Sequence, residues 1–160
     1  MEIANARYAT VRVETRIAAD PATVWRALTE EIGAWWPDAF YTGGTPTGRT
    51  LRFDASPGGV MLEDWGGGQG LVWGQVVTVD RPSKLEVTGY AFPQWGGPAT
   101  WLGTWDLEAD GDATVVRFTE AAVGRITEDS MADKEKGWRF LFDRALKAHV
   151  EGTKPPVWED

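Results

Sequence analysis

The chain contains no cysteine, which removes disulfides, thiolate metal ligands and cysteine nucleophiles from consideration. It has a single histidine, His149. A metal site would need carboxylates alone beside that one imidazole, and no spacing supports one. A Ser-His-Asp arrangement lacks the G-x-S-x-G turn that would hold its serine. His149 therefore reads as a helix-end charge or a packed ring. No run of Lys and Arg relieves an excess of acid: sixteen basic residues stand against twenty-four acidic ones, a net charge of −8. Such a surface repels a phosphate backbone or an anionic membrane. No apolar run approaches the roughly 20 residues that span a bilayer, and the N-terminus shows no basic stretch leading into an apolar one. These absences predict a cytoplasmic, acidic protein with no cofactor, no bound metal, and neither nucleic acid nor membrane as a partner.

What is present is tryptophan. Ten of the 160 residues are Trp, against six Phe and three Tyr. An indole is large and carries one N–H that needs a partner when buried. Ten exceed what a core of this size commonly needs, so some are expected to line a cavity. The length suits one domain able to bury a substantial core, expected over about 8–152, with a tail over 153–160.

Hydrophobic period divides the chain. Val11, Val13, Thr15 and Ile17 alternate with charged residues, as in a half-buried strand. Asp20 and Pro21 then open a short helix carrying Val24, Ala27 and Leu28 on one face. A second short helix over Glu30–Trp36 is stopped by Pro37. Short strands follow, with proline and glycine at the joints: LRFD, GVMLE, LVWGQVVTV and KLEVTGY. A strand carrying Trp101, Trp105 and Leu107 on one face ends at Asp110-Gly111, a hairpin signal, and Val116 and Phe118 continue beyond it. Last comes an amphipathic helix, capped at Ser130, with Trp138, Leu141, Phe142, Ala145, Leu146 and His149 on one side. Gly152 and Pro155-Pro156 end it, and Trp158 is expected to dock the tail. The predicted class is α+β: a strand, two short helices, an antiparallel meander and a long helix. A curved sheet around that helix leaves a cavity wherever it curves more than the helix fills.

Within the meander, DWGGGQGLVWG (64–74) invites a phosphate-loop reading. Such a loop needs its glycines to lead into a helix and usually a following lysine. Here a strand follows and lysine is missing, so the run reads as a hairpin connection, with Trp65 and Trp73 able to flank a pocket mouth. Glu63 and Asp64 are neighbours on a strand and point to opposite faces. One of them can face the cavity, and a salt bridge to Arg49 or Arg52 is the alternative. Gly103 leaves room between Trp101 and Trp105.

Three segments together, VETRIAADPATVWRALT, GGVMLEDWGGGQGLVWGQVVTVDRPSKLEVTGY and KGWRFLFDRALKAHVEG, resemble the START/Bet v 1-like (SRPBCC) superfamily, in the branch named after the Hsp90-ATPase activator homology domain. The residues carrying the likeness run from Ala22 to Leu28, then include Gly58, Gly59, Glu63, Gly70, Trp73, Gly74, Val76, Pro82 and Leu85, and finally Gly137 and Trp138. The resemblance implies a helix-grip fold, a seven-stranded curved antiparallel sheet wrapped around the C-terminal helix. It favours Glu63 as the cavity-facing acid.

Strand parity and the resemblance together nominate Glu63, Trp65, Trp73, Tyr90, Trp101, Trp105, Phe118, Trp138 and Phe142 as ligand-binding residues, and no catalytic residue. The leading expectation is a binder of a small apolar or aromatic molecule, as monomer or homodimer. Two other readings stay open: a partner that stimulates an Hsp90-type chaperone, and a cyclase- or dehydratase-like enzyme using Glu63 or Tyr90 as acid or base.

Overall fold

A computed structural model of the chain describes residue 1 and residues 4–159; the last residue of the tail lies outside them. Strand β1 (Arg7–Ile17) buries Val11, Val13, Thr15 and Ile17 and exposes the charged residues between them. Asp20 caps helix α1 (Pro21–Thr29), accepting the Thr23 N–H at 3.0 Å. Helix α2 (Ile32–Trp35) is shorter than expected, because Trp36, ahead of Pro37, is already extended at ψ 121°. The meander then runs through β2 (Thr50–Phe53), β3 (Val60–Gly66), β4 (Gln69–Asp80), β5 (Lys84–Ala91), β6 (Ala99–Asp110) and β7 (Ala113–Gly124).

All pairings are antiparallel, in the order β1-β7-β6-β5-β4-β3-β2. The first two strands in sequence therefore lie at opposite edges of one seven-stranded sheet. The segment between them must cross its whole width, roughly 29 Å at the usual strand spacing. That crossing carries α1, α2 and a short 3-10 helix (Asp38–Phe40) over the sheet.

The final helix, α3, covers 128–150 in three stretches: α-helical Glu128–Arg139, π-helical Phe140–Leu146 and a last α-helical turn, Lys147–Val150. Its cap is Thr127 rather than Ser130. Thr127 accepts the Ser130 N–H at 3.1 Å while the Ser130 hydroxyl accepts the Thr127 N–H at 3.1 Å. Ser130 serves as the third residue of a capping box, and Glu128 and Asp129 lie at the positive end of the helix dipole. The π stretch departs from the uniform α-helix expected, and its wider turn buries aromatic rings on two sides. Phe140 stacks on Phe40 at 5.8 Å, while Phe142 meets Phe118 at 5.0 Å.

Burial along α3 is uneven, and this places the cavity. None of the twelve residues of the first stretch is fully buried, whereas five of the seven in the π stretch are. The C-terminal half is thus packed into the core, whereas the N-terminal half lies beside β1 and leaves its inner side facing a cavity. Trp158 folds the tail back onto Phe40 and Phe140, at 5.0 and 4.9 Å between ring centroids.

Candidate functional site

Under the first half of α3 lies a cavity of about 640 Å³, within the range that holds a small organic molecule. Its floor is Trp101 on β6, in register with Gly89 of β5 and, one strand further, Gly74 of β4. A Cβ on Gly89 would fall 2.7 Å from the Trp101 ring, and one on Gly74 3.2 Å from it. The two glycines let the indole lie across neighbouring strands. Gly103 does the same between Trp101 and Trp105: its Cβ would sit 3.1 and 3.0 Å from those rings. The room the sequence leaves at 103 is filled by the two indoles themselves.

Two β-bulges shape one wall. In the β3–β4 ladder Met61 faces Gly74 and Leu62 faces Val72, so Trp73 has no partner. Asp64 faces Gly70 and Gly66 faces Gln69, so Trp65 has none either. A bulge re-aims a side chain, and here it turns both indoles toward Glu63. That carboxylate is 0% exposed and is surrounded by donors. It accepts the Trp65 N–H at 2.8 Å, the Trp73 N–H at 2.9 Å, and the Thr42 N–H and hydroxyl at 3.0 and 2.9 Å. Asp64, on the opposite face, pairs with Arg52. Between the bulged strands, Gly67 and Gly68 form a two-residue turn with φ of +63° and +77°, the backbone such a hairpin requires. The glycine stretch is a hairpin turn.

A second buried acid faces the cavity. Glu120 of β7 is 2% exposed. Its two oxygens are shared between residues one helical turn apart on α3: the Lys134 ammonium at 2.5 Å and the Trp138 N–H at 2.6 Å. Trp138 in turn stacks on Phe142 at 5.5 Å and meets Phe118 at 4.5 Å. Across the cavity Trp73 stacks on Trp95 at 5.0 Å and meets Trp36 at 5.9 Å. Tyr41, also on the wall, lies beneath the Arg49 guanidinium at 4.4 Å. Burial pushes its phenol above the usual range, more than that guanidinium lowers it.

The structure brings four of the nine nominated residues to the cavity: Trp73, Tyr90, Trp101 and Trp138. Tyr90 reaches only its rim. Its neighbours Gly89 and Ala91 are the buried ones, so the Tyr90 ring, 67% exposed, stands on the outer face. Trp105, Phe118 and Phe142 form the packed aromatic layer beneath Trp138 instead. Glu63 and Trp65 sit behind the wall, Glu63 holding Trp73 by its N–H and Trp65 covering Gly43 and Gly44. A salt bridge from Glu63 to Arg49 or Arg52, the alternative to a cavity-facing role, does not form, because neutral donors occupy its oxygens; Arg52 pairs with Asp64 instead. His149 lies far along α3, 2.8 Å from Glu31.

Trp36, Phe40, Tyr41, Trp95, Glu120 and Lys134 line the cavity without having been nominated. Glu120 had a readable signal: Val116, Phe118 and Glu120 continue one inward-facing alternation, so an acid falls where an apolar residue belongs. The loop aromatics had no such signal, since no period operates between elements. Among the described residues no cluster of His, Asp and Glu could hold a metal ion, and no helix is long and apolar enough to cross a membrane.

Residues 18–151 match the family model described as Activator of Hsp90 ATPase homolog 1-like protein. Among solved structures, the chain is similar to protein Mll3558 from Rhizobium loti, with a TM-score of 0.64 and 21% identity over 92% of this chain and 99% of that one. It is similar to the Aha1 protein of Colwellia psychrerythraea, solved as a dimer in solution, with a TM-score of 0.61 and 20% identity over 89% and 96% of the two chains. Ara h 8.0201 shares the fold at a TM-score of 0.67 with 12% identity, over 92% of this chain and 100% of that one. No curated protein sequence matches the chain.

Proposed function

The chain belongs to the Activator of Hsp90 ATPase homolog 1-like family, and from that premise and its cavity we propose that it binds a small, largely aromatic molecule between the sheet and α3. The observation that carries this reading is the concentration of rings around one solvent-reachable space. Trp36, Trp73, Trp95, Trp101 and Trp138 all border it. Aromatic walls suit a flat ligand, held by stacking and apolar burial with few polar groups to orient it. Glu63 serves the site from behind: it fixes the Trp73 ring and makes no contact with the ligand.

Native mass spectrometry of freshly purified protein, compared with its denatured mass, tests the reading directly. The expected result is an additional small mass that vanishes on denaturation. A titration of isotope-labelled tryptophan followed by NMR then locates the ligand, since the Trp101 and Trp138 indole signals should move and that of Trp25 should not. An apo mass together with unmoved cavity indoles across a panel of flat aromatic compounds would sink the proposal.

The family match supports a second reading, stimulation of an Hsp90-type chaperone. A pull-down and an ATPase assay with the chaperone test it. No change in turnover at saturating protein removes it.

A further inference from the structure

We propose that the Glu120–Lys134 pair makes the cavity selective for neutral aromatic ligands carrying a hydrogen-bond acceptor, such as an aryl ketone, over hydrocarbon and carboxylate analogues. This rests on the ligand-binding reading above and adds the chemistry of the polar anchor. The argument begins with which groups have capacity left. Each Glu120 oxygen already receives a donor, one from Lys134 and one from Trp138, and only 2% of the residue is exposed. The Lys134 side chain is 20% exposed and borders the cavity. An ammonium has three N–H donors and no acceptor. One is spent on Glu120, so the reachable spare capacity in this corner is donor capacity.

Charge then decides the kind of acceptor. The Lys134 charge is balanced by a buried partner at 2.5 Å, and Asp133 stands beside it on the same rim. A ligand carboxylate would meet one balanced cation and two anions, on a chain of net charge −8. Its lost hydration would not be repaid. A ligand cation would meet the Lys134 ammonium itself. A neutral carbonyl or ether oxygen takes the spare N–H without bringing charge. Lys134 and Trp138 lie four apart on one helix and reach the same carboxylate, so the ammonium is held in place before a ligand arrives, which lowers the ordering cost.

Three probes of one shape separate the terms: an acetylnaphthalene, the matching ethylnaphthalene, and the matching naphthoate. They are titrated calorimetrically into the intact protein near pH 7, with the indole NMR signals reporting location. A hydrogen bond to a charged donor in a partly dry site predicts that the ketone binds about tenfold more tightly than the ethyl compound. The naphthoate is expected to bind more weakly than the ketone. Lys134→Met alone would strand a buried carboxylate and risk unfolding. The double variant Glu120→Gln with Lys134→Met removes both charges while leaving the Gln carbonyl for Trp138. It should keep ethylnaphthalene affinity and lose the preference for the ketone, whereas Lys136→Met should keep that preference. Equal binding of ketone and hydrocarbon to the wild type, with cavity indoles moving, overturns the anchor and leaves the cavity reading intact. Preference for the naphthoate also overturns it. Failure of all three probes to bind overturns this inference and counts against the cavity reading as well.

Discussion

Replacing Glu63 with glutamine is the most incisive test of how the site is held. The substitution keeps size and shape and changes only one carboxylate oxygen into an NH₂ group. On one side of the carboxylate stands the Trp73 N–H, at 2.9 Å; on the other stand the Trp65 N–H, at 2.8 Å, and the Thr42 hydroxyl, at 2.9 Å. The hydroxyl can rotate to accept, but an indole N–H cannot. Whichever way the amide is placed, one indole N–H faces an NH₂ group and loses its bond. A hydrogen bond to a charged group is worth about 1.5–3 kcal/mol, and leaving a donor unpaired in a buried place costs about 1–3 kcal/mol. The two figures overlap, and Trp65 and Trp73 are only half-buried, so Glu63→Gln should cost about 2–3 kcal/mol. Urea unfolding read by tryptophan fluorescence measures this, as a shifted midpoint at unchanged slope. Adding Trp73→Phe to Glu63→Gln should cost less than the sum of the single changes, because the orphaned donor is gone. A Glu63→Gln variant within about 0.5 kcal/mol of wild type, the usual range for an inconsequential surface change, would refute the argument that Glu63 organises the wall.

Gly89→Ala places a Cβ 2.3 Å from the Trp73 carbonyl oxygen and 2.7 Å from the Trp101 ring; a loss of about 2 kcal/mol is expected in thermal unfolding, together with weaker ligand binding. Gly68→Ala, at φ +77° with open space around it, should cost only about 1 kcal/mol, the price of a left-handed backbone without a clash. Trp138→Phe takes a donor from buried Glu120 and should cost about 2 kcal/mol. Trp105→Phe, whose N–H is buried without a partner among the described residues, should cost less than half as much by the same denaturation assay. Glu31 is held below its ordinary value of 4.5 by the hydrogen bond from His149 first and from Arg26 second. Its contribution is therefore present above that value and fades as the pH falls through the lowered one. With its side chain 38% exposed, the effect is below about 1 kcal/mol after solvent screening. Glu31→Gln should be less stable than wild type near pH 7 and equal to it near pH 2 by urea unfolding.

Local pattern accounts for much of the architecture. Period-two alternation marked β1 and the meander, Asp20-Pro21 marked the start of α1, and the three-to-four spacing from Trp138 to His149 marked the buried face of α3. Each signal works because a single element must turn one side to the core and one to water, a constraint felt residue by residue. The same reasoning separated Glu63 from Asp64 and excluded a phosphate loop at 66–68, since both questions concern only which element follows and which face is presented. Some of the misses trace to an interruption of period. The bulges at Trp65 and Trp73 shift the alternation by one residue, and the π stretch of α3 changes the angle between successive side chains. Tyr90 is a different case: the alternation of β5 is regular, and Leu85 and Val87 continue inward to Gly89 and Ala91, so parity itself puts the Tyr90 ring on the outer face.

By itself the sequence determined the strands, the helices, the acid at an inward position of β7 and the abundance of rings, because these depend on chemistry near in the chain. The tertiary structure alone decided which rings enclose space. Trp36 precedes β2 in the chain and Trp95 follows β5, yet both meet Trp73. Lys134 and Trp138 find Glu120 only because the chain's return after β7 lays the first half of α3 against that strand. A cavity is the volume left after distant elements have packed, and no short stretch of residues encodes a remainder.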